Sequence, residues 1–81
     1  MSYLDKIKKK VKQGVYLEKN TRNSFNIAVQ DQGLLYSCRV KVDEIYNLEN
    51  ELIYEIEEHT DQNSNYHTLD IYNHKTKQQV I

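Results

Sequence analysis

Proline and tryptophan are missing from this chain of 81 residues, and glycine (two), cysteine (one), phenylalanine (one) and alanine (one) are nearly so. Each scarcity removes a class of protein. Without proline or glycine-rich tracts there is no collagen-like segment, no Pro-rich linker and no Gly-rich loop of the kind that cradles phosphates. A lone Cys38 can neither close an internal disulfide nor build a cysteine-based zinc site. Apolar runs are too short for a membrane span. Residues Tyr3 to Lys12 alternate charged and apolar side chains, which is no signal peptide. No Asn-x-Ser/Thr acceptor occurs, and together with the single thiol this points to a cytoplasmic protein without a membrane partner.

What is present is one domain's worth of chain, 38% apolar and 28% charged, with a formal net charge of −1. That small sum conceals a split. Residues 1–42 carry nine Lys/Arg against three carboxylates, a net of +6, and residues 43–81 carry nine carboxylates against Lys75 and Lys77, a net of −7. Such asymmetry points either to a charged partner or to mutual neutralisation of the halves, within one chain or between two copies in a homodimer. Asn, Lys, Ile and Tyr make up 31 of the 81 residues. All four have A/T-rich codons, as in many bacteria and their phages.

The pattern predicts a single α+β domain over residues 1–81, an N-terminal helix packed on a small antiparallel β-meander of about five strands. The helix spans about residues 3–13. Ser2 is its N-cap, Asp5 completes a capping box, Gly14 stands at the left-handed exit, and Leu4, Ile7 and Val11 form a narrow apolar stripe. Strands are expected at about 15–18, 25–30, 34–46, 51–58, 66–72 and 78–81, with Asn20 to Ser24 as a polar turn. Phe25, Ile27 and Val29 alternate as one strand face. Tyr36, Cys38, Val40 and Val42 alternate as another, the expected core face. Residues 43–59 fit two patterns. As a helix, Asp43 caps a stripe of Ile45, Leu48, Leu52 and Ile56. As a hairpin, the chain turns through Leu48-Glu49-Asn50 with Asn50 left-handed, and residues whose numbers sum to 98 face each other (Tyr46–Leu52, Ile45–Ile53, Val42–Ile56, Lys41–Glu57). The hairpin is adopted, with a second helix at 43–59 as its alternative.

Chemistry-bearing residues are sparse. His59, His67 and His74 stand eight and seven apart, in no metal-binding or catalytic spacing, so they are placed on the rim and no metal or cofactor is expected. Cys38 belongs to the apolar face, away from any histidine, and reads as a structural thiol. Serines and threonines lack a nucleophile elbow. The chain is therefore read as a non-enzyme. Its strongest feature is Asp43 to Asp61, eight carboxylates without a Lys or Arg. Glu49, Glu51, Glu55, Glu57 and Glu58, with Tyr46 and Tyr72 as amphipathic aromatics, form a candidate surface for a protein partner with a basic groove. Small size, polarised charge and codon bias together fit a phage or mobile-element inhibitor of a host enzyme or defence complex. The alternative is a nucleic-acid-binding regulator using Lys6, Lys9, Lys10 and Lys12 on the basic helix.

Overall fold

In a computed structural model, which describes residues 2–81, the first element is helix α1, Tyr3–Lys12. Both of its ends are closed by local chemistry. The Asp5 amide donates to the Ser2 hydroxyl (3.1 Å), and the Ser2 amide donates to the Asp5 carboxylate (3.4 Å). At the other end Gly14 takes φ +78°, so that its amide reaches the Val11 carbonyl (3.1 Å) and the Val15 amide the Lys10 carbonyl (3.0 Å). That pair of bonds satisfies carbonyls the helix would otherwise leave orphaned, and only a residue that tolerates positive φ allows it.

Five strands follow, paired in sequence order as an open antiparallel meander: β1 Leu17–Asp31, β2 Leu34–Tyr46, β3 Leu52–Asp61, β4 His67–Asn73 and β5 Gln78–Gln79. The α+β architecture is the expected one. Residues 43–59 form the end of β2, a turn and β3, so the alternative helix is absent. Asn50 has φ +65° and donates to the Asn47 carbonyl, while the Asn47 side chain accepts from the Glu49 and Glu51 amides. The β1–β2 turn has positive φ at both Gln32 and Gly33, the primed geometry whose twist suits a two-residue hairpin.

Three expectations are corrected. First, residues 15–18 and 25–30 are not two strands separated by a turn, because Asn20 to Ser24 belongs to one continuous β1. The Asn20 amide group holds this polar stretch to the sheet through the carbonyls of Arg22 and Val42 and the Asp43 carboxylate (3.1, 3.1 and 2.9 Å). Register breaks between Asn20 and Arg22 and between Ser24 and Ile27 absorb the irregularity, with Asn26 at φ +59°. The second break leaves Phe25 59% exposed, separated from Ile27 and Val29. Second, the sum-98 register holds only at Tyr46–Leu52. A bulge then shifts the ladder by one, pairing Ile45 with Tyr54, Asp43 with Ile56, Val42 with Glu57 and Lys41 with Glu58.

Third, the helix does not sit on the Cys38 face. The core under α1 is Ile7, Ile45, Ile56 and Ile71, with Leu4, Val11, Tyr54, Leu69 and Val80 packed around it. Along β2, Cys38 and Val40 are buried on one face, whereas Asp43 and Ile45 are buried on the other. Burial changes face between Val40 and Asp43. The cause is length. A helix of ten residues is about 15 Å long, whereas the molecule extends 41 Å along its longest axis. The half of the sheet that α1 cannot reach buries apolar side chains on the opposite side.

Candidate binding surfaces

Cross-strand partners share a face, so the ladder assigns each candidate residue to a side. On the face opposite α1, Glu44 lies across from Glu55, which lies across from Tyr72, and Val42 across from Glu57, which lies across from Asp70. Tyr46, two residues from Glu44, is on this face as well, its hydroxyl donating to the Glu44 carboxylate at 2.8 Å. That bond, followed by burial, pushes the Tyr46 phenol above its ordinary range. Tyr72 is exposed and meets the His74 ring edge-on at 4.8 Å.

Of the predicted acidic strip, Glu55, Glu57, Tyr46 and Tyr72 thus converge on one surface. Glu58 does not: it points to the helix side, across from Lys41 and Leu69, and bonds His67 at 2.9 Å. Glu49 and Glu51 stand at the β2–β3 turn. Glu51 accepts from the Asn47 side chain and Lys75, contacts that hold its carboxyl below the usual range. Glu44 and Asp70 complete the surface although neither was singled out beforehand. Glu44 becomes visible only with the bulge that sets it opposite Glu55, and Asp70 only with the pairing of β4. Lys19 and Arg22, on β1, flank the same face in register with Glu44 and Val42.

Other polar side chains are engaged within the fold. Asp43, 4% exposed, is the one buried carboxylate among the described residues, held by Asn20 and by Lys41 at 3.7 Å. Cys38 is fully buried between Ile27 and Asp61 in the ladder, and burial raises its thiol pKa, with Asp61 adding to the effect. Tyr36 and Tyr66 stack at 3.9 Å, and the Tyr66 hydroxyl donates to Asp31 at 2.8 Å. His59 bonds Glu57 at 2.8 Å. Among the described residues, no three His, Cys, Asp or Glu side chains gather as a metal site would require.

On the helix side, Lys8 pairs with Glu18 at 2.6 Å. Among the described residues, Lys6, Lys9, Lys10 and Lys12 have no carboxylate within ion-pair distance, and the one salt bridge joining the basic and acidic halves is Lys41–Asp43. Direct pairing between the halves is therefore confined, among the described residues, to that one bridge. Lys6, Lys9 and Lys10 border a cleft between α1 and two tyrosines, which Lys12 does not reach. Among the described residues, no helix is long and apolar enough to cross a membrane. Comparison with protein-family models, with curated proteins and with solved structures returns no match.

Proposed function

We propose that this chain is a non-enzymatic binding protein that engages a basic surface of a protein partner through the sheet face opposite α1. The observation that carries the reading is the stacking of like charges on that face. Glu44 opposes Glu55 and Glu57 opposes Asp70 in direct cross-strand register, with Tyr46 and Tyr72 beside them. Directly opposed like charges weaken a sheet by the same order that opposite charges strengthen it, about 0.2–1 kcal/mol per pair. Within the fold Lys19 stands in register with Glu44 and His59 bonds Glu57, whereas among the described residues Glu55 and Asp70 have no ion-pair partner. A basic partner would turn that repulsion into attraction, and the tyrosines supply apolar area with hydroxyls that tolerate water. The same chemistry suits the finer reading, an inhibitor that occupies the basic groove of a host enzyme or defence complex.

The test is affinity capture from native lysate with the wild-type chain and with the Glu55→Lys, Glu57→Lys double variant. The expected result is a partner that the wild type retains at low salt, that high salt releases, and that the double variant fails to hold although it folds. Equal capture by both chains removes this face from consideration.

A further inference from the structure

A second surface lies on the helix side of the sheet. Between α1 and the sheet opens a cleft of about 520 Å³. Its aromatic wall consists of Tyr3, Tyr16 and Tyr54, the Tyr54 ring meeting Tyr3 edge-on at 5.9 Å and Tyr16 at 6.1 Å. The Tyr3 and Tyr54 hydroxyls share a hydrogen bond at 3.2 Å. Burial, reinforced by this bond, raises the Tyr54 pKa. The rim carries Lys6, Lys9 and Lys10, and among the described residues no carboxylate lines the cleft. The Lys10 ammonium lies 5.3 Å from the Tyr16 ring centroid. Three cations are thus gathered over an aromatic wall without an acidic counter-charge.

We propose that this cleft binds a nucleoside phosphate, its base against the tyrosine wall and its phosphate among the ammonium groups of Lys6, Lys9 and Lys10. A bare anion would satisfy the lysines and leave the rings unused. An uncharged aromatic would use the rings and leave the cations unanswered. A ligand that is both anionic and flat-ringed uses both halves, and the volume falls within the range of small-molecule sites, about 300–1,000 Å³. Lysine acts on phosphate as a point charge, and every base offers a π-face to a tyrosine, so discrimination among bases is slight. The same chemistry is offered by a free nucleotide and by one unit of a single strand. The cleft and the acidic face lie on opposite sides of the sheet, so the proposal stands independently of the acidic-face reading.

The experiment is an NMR titration of the isotope-labelled full chain with three separate probes: AMP, inorganic phosphate, and a thymidine oligonucleotide of about 12 residues. The expected result is that AMP or the oligonucleotide shifts the amides of α1, Tyr16 and Tyr54, and that phosphate binds at least about tenfold more weakly. Tighter binding of AMP identifies the free nucleotide as the source, and tighter binding of the oligonucleotide the strand. Tyr16→Ala should weaken binding about tenfold. Should that variant not fold, the exposed pair Lys6→Glu with Lys10→Glu serves, with a loss of about tenfold or more expected. The proposal is overturned if none of the probes shifts these amides at about 10 mM, if phosphate binds as tightly as AMP and the oligonucleotide, or if the lysine pair keeps wild-type affinity.

Discussion

The two halves of the sheet solve the same burial problem on opposite faces. Under α1, isoleucines from α1, β2, β3 and β4 close a continuous cluster (Ile7, Ile45, Ile56, Ile71), each at most 4% exposed. Beyond the helix, the described residues form no second layer. Cys38 and Val40 are buried on the other face, Tyr36 stacks on Tyr66, and Phe25, Leu34 and Leu35 remain 59–74% exposed. A cluster clamped between two layers loses more on truncation than one shielded by its own sheet neighbours. The first half therefore holds the continuous core, while exposed apolar side chains occur in both halves, Leu17 and Leu48 near the helix (53% and 66%) as well as Phe25, Leu34 and Leu35 beyond it.

The sharpest way to break the contrast is to truncate one buried residue in each half. Ile71→Ala should cost about 3–5 kcal/mol in urea unfolding, against about 1–2 kcal/mol for Val40→Ala. Equal losses would mean that the distal face is as tightly layered as the helix-covered one. Next in size is Asp43→Ala, which removes the acceptor for Asn20 and the partner of Lys41 at the helix–sheet junction. A loss of about 1–3 kcal/mol is expected, together with faster amide exchange in the Asn20–Arg22 segment. Slow exchange there would show that the Arg22 and Val42 carbonyls hold Asn20 without the carboxylate.

On the acidic face the sign reverses. Glu57→Lys replaces a like-charge pair with an attractive one opposite Asp70 and should gain about 0.2–1 kcal/mol. A lower melting temperature would show that the bond from His59 to Glu57 outweighs the repulsion.

The distal half offers a contrast that pH reads, at Tyr66. The hydrogen bond to Asp31, followed by burial, pushes the Tyr66 phenol up to about 12, above its ordinary value. Because the folded-state value is the higher one, the contribution is complete below about pH 10 and is lost as pH rises through about 12. Ultraviolet titration of Asp31→Asn should show Tyr66 ionising earlier. An unchanged titration would make burial, and not Asp31, the cause.

Local chemistry was legible where a few adjacent residues decide the conformation. Ser2 and Asp5 cap α1, Gly14 ends it, and Asn50 takes the left-handed position of the β2–β3 turn, each by a side-chain bond or a φ preference that needs no distant partner. The candidate surface was half legible. Glu55 and Glu57 alternate onto one face by the period of a strand, whereas Glu58 is thrown to the other by the same period. Glu44 and Asp70 join them only through pairing between strands. The tyrosines of the cleft come from three separate parts of the chain, and nothing in their spacing announces that Tyr3, Tyr16 and Tyr54 meet.

Sequence alone determined the helix and its ends, the Gln32-Gly33 and Asn50 turns, the alternation along β2 and the division of charge into +6 and −7, but not the continuity of β1 through Asn20 to Ser24. Tertiary structure decided which face each half of the sheet buries and where those charges go. The reasons are physical. A bulge shifts the register by one residue without a distinctive sequence mark, and a helix too short for its sheet leaves the uncovered half to bury its apolar residues on the far side. With Lys41–Asp43 as the one direct bridge between the basic and acidic halves among the described residues, the basic cleft and the acidic face end on opposite sides of the sheet.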